Sequence, residues 1–123
     1  MSSLGKHLLL ELCDSDRALL DDIQYIEQIM VLAAKEAGAN ILGKSFHKFS
    51  PKGVTGVVTI TESHLCIHTW PEHEYAAVDI FTCGKGFKPY RAAEIIVERL
   101  GCKYPQISEI DRGPISKFAR SVQ

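Results

Sequence analysis

The sequence predicts an α+β fold: a two-layer sandwich in which a mostly antiparallel sheet carries two helices on one face. Three observations predict it. Six short segments have strand character, and two longer ones repeat their apolar residues at helical spacing. The order is strand, helix, four strands, helix, strand. The links between successive strands are too short for parallel crossovers.

The first strand is His7–Cys13, dense in leucine. Asp14, Ser15 and Asp16 then offer N-cap oxygens for a helix over Arg17–Ala37. In that helix Leu19, Ile23, Ile26, Met30, Ala33 and Ala37 recur at three- and four-residue steps, and Gly38 is placed to end it. Ile41–Phe49 and Val54–Ile60 read as two strands joined through Ser50-Pro51-Lys52-Gly53. Leu65–Thr69 and Tyr75–Thr82 are two more, joined through Pro71-Glu72-His73-Glu74. The second helix is expected over Pro89–Leu100, with proline in its first turn and Gly101 after its end. Ile107–Ile110 is the last expected strand, and residues 112–118 read as an irregular tail.

The 123 residues are 46% hydrophobic and 24% charged, which suits one globular domain, 1–123, and excludes a disordered or fibrous chain. Fourteen Lys and Arg against fifteen Asp and Glu give a net charge of −1, which argues against nucleic acid or an anionic membrane as partner. No apolar run approaches the ~18 residues of a spanning helix, and the N-terminus lacks signal-peptide character. The cytoplasm is the expected location. Cys13, Cys66, Cys83 and Cys102 form no CxxC pair, so a zinc ribbon or thioredoxin motif loses its main support. In a reducing compartment they are expected as thiols, each by default a small buried hydrophobe.

Strand alternation sorts the side chains further. After Ser63, Leu65, Ile67 and Thr69 share one face, and His64, Cys66, His68 and Trp70 share the other. In the following strand Ala76, Val78 and Ile80 oppose Ala77, Asp79, Phe81 and Cys83. The aliphatic faces suit the helices. The second face is rich in aromatic, imidazole and thiol groups, and no helix is left to cover it. Faces of this kind line a site or meet another protein surface. A homodimer is the expected assembly, stacked sheet on sheet in αββα layers or joined edge to edge with shared sites.

Three of the five histidines and the single tryptophan fall between His64 and His73. Four readings compete. A metal site from His64, His68 and His73 conflicts with a strand, where four residues span about 13 Å and metal–nitrogen bonds are about 2 Å. A hydrolase with Cys83 as nucleophile, His68 as base and Asp79 as orienter is permitted by parity. Histidines satisfied by structural hydrogen bonds explain any one of these residues but not the group. The fourth reading is internal serinolysis at Glu62-Ser63. There a hydroxyl in a tight turn attacks its own preceding carbonyl, and a base such as His68 completes an elimination. It requires a turn or bulge at 62–63, because Ser63 and His68 have opposite parity.

The stretch SHLCIHTWPEHEYAAVDIFTCG (Ser63–Gly84), the preceding HKFSPKGVTGVVTITE and the opening SLGKHLLLELCD resemble the short prokaryotic S-adenosylmethionine decarboxylase proenzymes. The resemblance covers roughly the first 85 residues and loosens after Gly84. It implies autocleavage at Glu62-Ser63 into fragments 1–62 and 63–123, with a covalent pyruvoyl cofactor made from Ser63 and neither metal nor pyridoxal phosphate. It implies that substrate forms an imine with the pyruvoyl carbonyl, which accepts electrons as CO₂ leaves. Cys83 is then the implied proton donor, a role that suits thiols because they ordinarily ionise near ~8.5. His68 is the implied base in processing. The implied product is decarboxylated S-adenosylmethionine, the aminopropyl donor for spermidine, and the implied assembly is a homodimer of cleaved units.

Phe49 and Trp70 are candidates to stack on adenine or to lie near the sulfonium, where cation–π attraction is worth about 0.5–2 kcal/mol. Core packing is the plainer reading of both. Glu72 is a candidate for the ribose hydroxyls or the sulfonium charge, against plain solvation. Arginine or ornithine is the alternative substrate of the same chemistry. An arginine pocket needs a carboxylate, and Glu11, Glu72 and Asp111 are all available. A non-enzymatic sheet dimer is the alternative of a different class.

Overall fold

The structure, a computed structural model, describes residues 3–61, 63–83 and 85–114. In chain order it contains β1 (Ser3–Cys13), α1 (Arg17–Leu20), α2 (Ile23–Glu36), β2 (Ile41–Lys48), β3 (Val54–Ile60), β4 (Ser63–Trp70), β5 (Tyr75–Thr82), α3 (Pro89–Arg99) and β6 (Tyr104–Pro114). A single 3-10 turn, Pro71–His73, links β4 to β5. The strands make one sheet ordered β2-β3-β4-β5-β1-β6, with every neighbouring pair antiparallel. The expected α+β sandwich is therefore present.

Period-two burial builds the core side of the sheet. Leu8, Leu10 and Leu12 of β1, Leu65 and Ile67 of β4, and Ala76, Val78 and Ile80 of β5 are buried. Against them pack Ile26, Ile29, Met30 and Ala33 of α2 and Ala92, Ile95 and Ile96 of α3. Burying each Leu or Ile side chain removes it from water at a gain of roughly 1.5–3 kcal/mol. The helices are tied end to end as well. The Lys88 N–H donates to the Ala37 carbonyl (2.9 Å), and the Tyr25 hydroxyl donates to the Arg99 carbonyl (2.6 Å).

Two expectations need correction. The helix expected over Arg17–Ala37 is broken at Asp21-Asp22. Asp16 and Asp22 each accept a backbone N–H three residues ahead, from Leu19 and Tyr25, both at 3.1 Å, so each aspartate starts its own helix. Asp21 turns away and accepts the Gly53 N–H at 2.9 Å, with the Lys48 ammonium at 3.0 Å. Those two partners, the Gly53 N–H first, hold its carboxyl below the usual aspartate range. Gly38, at φ 96°, does follow the end of α2, as its sequence position implied.

The second correction concerns β6. It spans Tyr104–Pro114 rather than Ile107–Ile110, so residues 112–114 belong to the strand and not to an irregular tail. Residues 115–118 of that expected tail lie outside the described residues. β6 is an edge strand paired to β1 from Cys13↔Tyr104 to Ser3↔Pro114. Backbone pairing carries it, and its exposed side chains show none of the burial rhythm by which strands are recognised in sequence.

Candidate active site

Ile60 and Ser63 are the last register pair between β3 and β4, and Thr61 turns away from β3 just after it. Ser63 is already paired at the first position of β4, with no bulge between it and His68, so the opposite parity of the two residues stands and the break expected at 62–63 does not bring them together. Glu62, the other half of the expected cleavage site, lies outside the described residues. On its other side Ser63 is in register with Thr82, the last residue of β5. The Ser63 hydroxyl donates to Thr82 Oγ1 at 3.0 Å.

Cys83 follows Thr82 directly. The strand has ended there, so the alternation that put Cys83 on the open face with Phe81 no longer applies to it. Instead Cys83 is exposed and lines a cleft of about 490 Å³, together with Gly5, Lys6, Thr82, Lys85, Phe87 and Tyr90. That volume lies within the range of sites for small organic ligands, about 300–1,000 Å³. Close approach of β1 shapes one wall. A Cβ on Gly5 would sit 2.9 Å from the Phe81 ring and 3.1 Å from the Thr82 carbonyl. A smaller cavity of about 170 Å³, lined by Asn40, Ile60, Thr61, Lys85 and Phe87, flanks the end of β3.

The remaining candidates collect at the opposite end of the sheet. His68 lies five residues along β4 from Ser63, about 16 Å away at strand rise. Its side chain projects from the open face and its Nδ1 is 3.1 Å from Thr55 Oγ1 on β3. Trp70 stands 6.5 Å from the His68 ring and 5.5 Å from the Tyr75 ring. Phe49 packs edge-on against His47 at 4.6 Å. Trp70 and Phe49 are 41% and 46% exposed, which removes core packing as their explanation. Glu72 is exposed on the 3-10 turn. One chain therefore holds the candidates in two separate groups: a hydroxyl and thiol at one end of the sheet, and an imidazole with aromatic and acidic groups at the other.

The competing readings fare differently. His64 and His68 are four apart on a regular strand, about 13 Å, and cannot share one ion. The Cys83–His68–Asp79 hydrolase is not assembled. Asp79 instead faces His7, with Oδ1 3.4 Å from Nε2, while Cys83 and His68 occupy opposite ends.

The chain matches the family model for S-adenosylmethionine decarboxylase over residues 6–113. It belongs to the S-adenosylmethionine decarboxylase family. The match runs well past residue 85, where the resemblance read from sequence had loosened. A protein of Thermodesulfovibrio yellowstonii named "S-adenosylmethionine decarboxylase proenzyme" is 52% identical over 94% of this chain and 86% of its own length. One of the same name from Pelotomaculum thermopropionicum is 53% identical over 94% of this chain and 91% of its own. The crystal structure titled adenosylmethionine decarboxylase from Aquifex aeolicus superposes with a TM-score of 0.87 at 35% identity, covering 95% of this chain and 97% of that one.

For this S-adenosylmethionine decarboxylase family member, sequence reading missed three groups. Thr55 and Thr82 are cross-strand partners of His68 and Ser63, and only register reveals them. The third lies on the open face. His7 touches Phe81 edge-on at 5.7 Å, its Nδ1 is 3.2 Å from Arg112 Nη1, and its buried Nε2 makes no aligned hydrogen bond despite the nearby Asp79. His64 stacks on Phe81 at 5.6 Å. Burial, and then the charge of Asp79, push the Cys66 thiol up. Tyr75, donating to Glu11, is pushed up to about 12 by burial first and that hydrogen bond second. The face left open by the helices is thus packed with polar and aromatic groups, as the strand alternation implied.

Proposed function

We infer that this chain is a pyruvoyl-dependent S-adenosylmethionine decarboxylase, made as a proenzyme that cuts itself between Glu62 and Ser63. The observation that carries the reading is Ser63 at the start of β4, hydrogen-bonded to Thr82 beside Cys83 and its 490 Å³ cleft. In processing, Ser63 Oγ adds to the carbonyl carbon of residue 62. The C–N bond breaks, the hydroxyl proton passes to nitrogen, and an ester joins the two segments. A base then removes the α-proton of residue 63, and the Cβ–O bond breaks to release the carboxylate of residue 62. The dehydroalanine left behind takes up water and loses ammonia, leaving a pyruvoyl cap on the 63–123 fragment. No oxidant or metal is needed.

The residues at this end of the sheet suit such a group: a serine at the start of β4, beside a cleft of ligand size, with a thiol one residue beyond its register partner. A pyruvoyl carbonyl there would supply the sink for the electron pair freed as CO₂ departs. Cys83 is the group placed to return a proton to the substrate carbon. In processing His68 is the base, but it cannot serve the Ser63 of its own chain across about 16 Å and from the other face of the sheet. We therefore place the enzyme in a homodimer of αββα layers, in which the imidazole end of one chain meets the serine end of the other. Phe49, Trp70 and Glu72 then approach the partner's cleft, where the rings stack on the adenine or sulfonium and the carboxylate takes the ribose or the positive charge. The open, aromatic sheet face favours that stacking.

S-adenosylmethionine is preferred to arginine or ornithine because relatives sharing half of the residues over nearly the whole chain are named for it. None of the four cysteines is in a disulfide, and among the described residues no helix is long and apolar enough to cross a membrane. We place the reaction in the cytoplasm, where thiols stay reduced. Mass spectrometry of the purified protein tests the proposal. Two fragments split at 62/63, the second with a keto cap, and CO₂ released from S-adenosylmethionine in preference to arginine are expected. An unbroken chain after long incubation rules the reading out.

A further inference from the structure

Ser63 must present its oxygen to the carbonyl behind it, and a serine hydroxyl in solution samples three χ1 wells. We propose that Thr82 is the positioning residue that holds the Ser63 hydroxyl in the rotamer from which it attacks, an inference that rests on the self-processing read above. The two oxygens are 3.0 Å apart. The pairing does not depend on chance proximity, because Ser63 and Thr82 are register partners and so share one face of the sheet.

Thr82 is itself well held. It is 6% exposed and lies between Lys6 of β1 and Ser63 of β4. Its branched Cβ stiffens χ1. The missing side chain of Gly5 lets β1 pack down onto its carbonyl. A buried, stiff acceptor is well suited to orient a mobile hydroxyl. The His68 of the same chain cannot do so, since it projects from the opposite face at the far end of β4.

In the acyl shift the Ser63 oxygen forms the new C–O bond to the carbonyl carbon of residue 62. The C–N bond breaks, and the hydroxyl proton ends on the new amine. Thr82 is unchanged and moves no proton of its own. It therefore acts before the ester forms, and the later elimination does not use it.

The test follows the full-length chain after a short pulse of synthesis, with intact and cleaved masses measured over time and ester intermediate trapped with hydroxylamine. Wild type, Thr82→Val, Thr82→Ser and Thr82→Ala are compared. We expect Thr82→Val and Thr82→Ala to slow cleavage by about tenfold or more without accumulating ester, since misplacing a reacting group costs rate on that scale. Thr82→Ser restores the hydroxyl and is expected to cleave near the wild-type rate. Cleavage of Thr82→Val at the wild-type rate overturns the proposal. Should Thr82→Val fail to fold, the Ser and Ala variants decide: equal rates mean that packing, not the hydroxyl, sets the effect, and the proposal fails. A wild-type chain that never cleaves removes the self-processing reading itself, a different result from any of these.

Discussion

If His68 processes the partner's Ser63, two dead variants should rescue each other. Ser63→Ala lacks the attacking oxygen, and His68→Ala lacks the base. Within one chain these residues are five apart on β4, about 16 Å, and project from opposite faces. No side-chain rotation closes that distance. Produced alone, each variant should stay intact. Produced together in equal amounts with distinguishable tags, random pairing makes about half of the dimers mixed. In each mixed dimer the His68→Ala chain keeps its serine and meets an intact imidazole from its partner. About half of the His68→Ala chains, or about a quarter of all chains, should then be cut, and no Ser63→Ala chain. Intact masses of the two tagged species read this directly, and tandem affinity capture counts the mixed dimers. If the captured mixed dimers stay intact, or if His68→Ala cuts itself when alone, trans action by His68 is wrong.

Other outcomes follow from the same geometry. Cys83→Ala should still process at 62/63 yet lose turnover by about a hundredfold or more, because proton return to carbon loses its donor; normal turnover would exclude that role. Trp70→Ala removes a ring that is 41% exposed, so the thermal midpoint should move little, while loss of a cation–π contact raises KM by roughly 2- to 30-fold. A falling midpoint with unchanged KM would mark Trp70 as packing after all. Asp21→Ala deletes a carboxylate that accepts the Gly53 N–H and pairs with Lys48, and should cost about 1 kcal/mol at neutral pH. The Asp21 carboxyl titrates below its ordinary value of 3.8 in the folded state, so its contribution is full above that value and is lost as pH falls through the lowered one. Thermal scans should show the gap between wild type and variant at pH 7 closing below about pH 4. A gap that persists there would assign the loss to geometry rather than charge.

The local rules of the chain were legible because they are local. Strand alternation identifies Leu65, Ile67 and Val78 as core without reference to any partner, and Gly38 and Gly101 mark helix ends by their backbone freedom. The same alternation left the His64–Trp70 face uncovered. The Glu-Ser dipeptide had meaning only beside the family's motifs, since the pair alone is common. Where apolar rhythm was missing, the reading stopped: β6 is held by backbone bonds to β1, and Asp21-Asp22 interrupts a helix whose hydrophobic spacing runs straight through it.

Sequence alone thus determined the elements, the buried face and the candidate chemistry, because each depends on spacing along one segment. Tertiary structure decided which candidates meet. Register across β3, β4 and β5 set Thr82 beside Ser63 and Thr55 beside His68, and separated serine from imidazole by most of a strand. Strand pairing is a relation between distant residues: the pattern within a segment fixes which face it buries, and the fold decides which strand lies beside it.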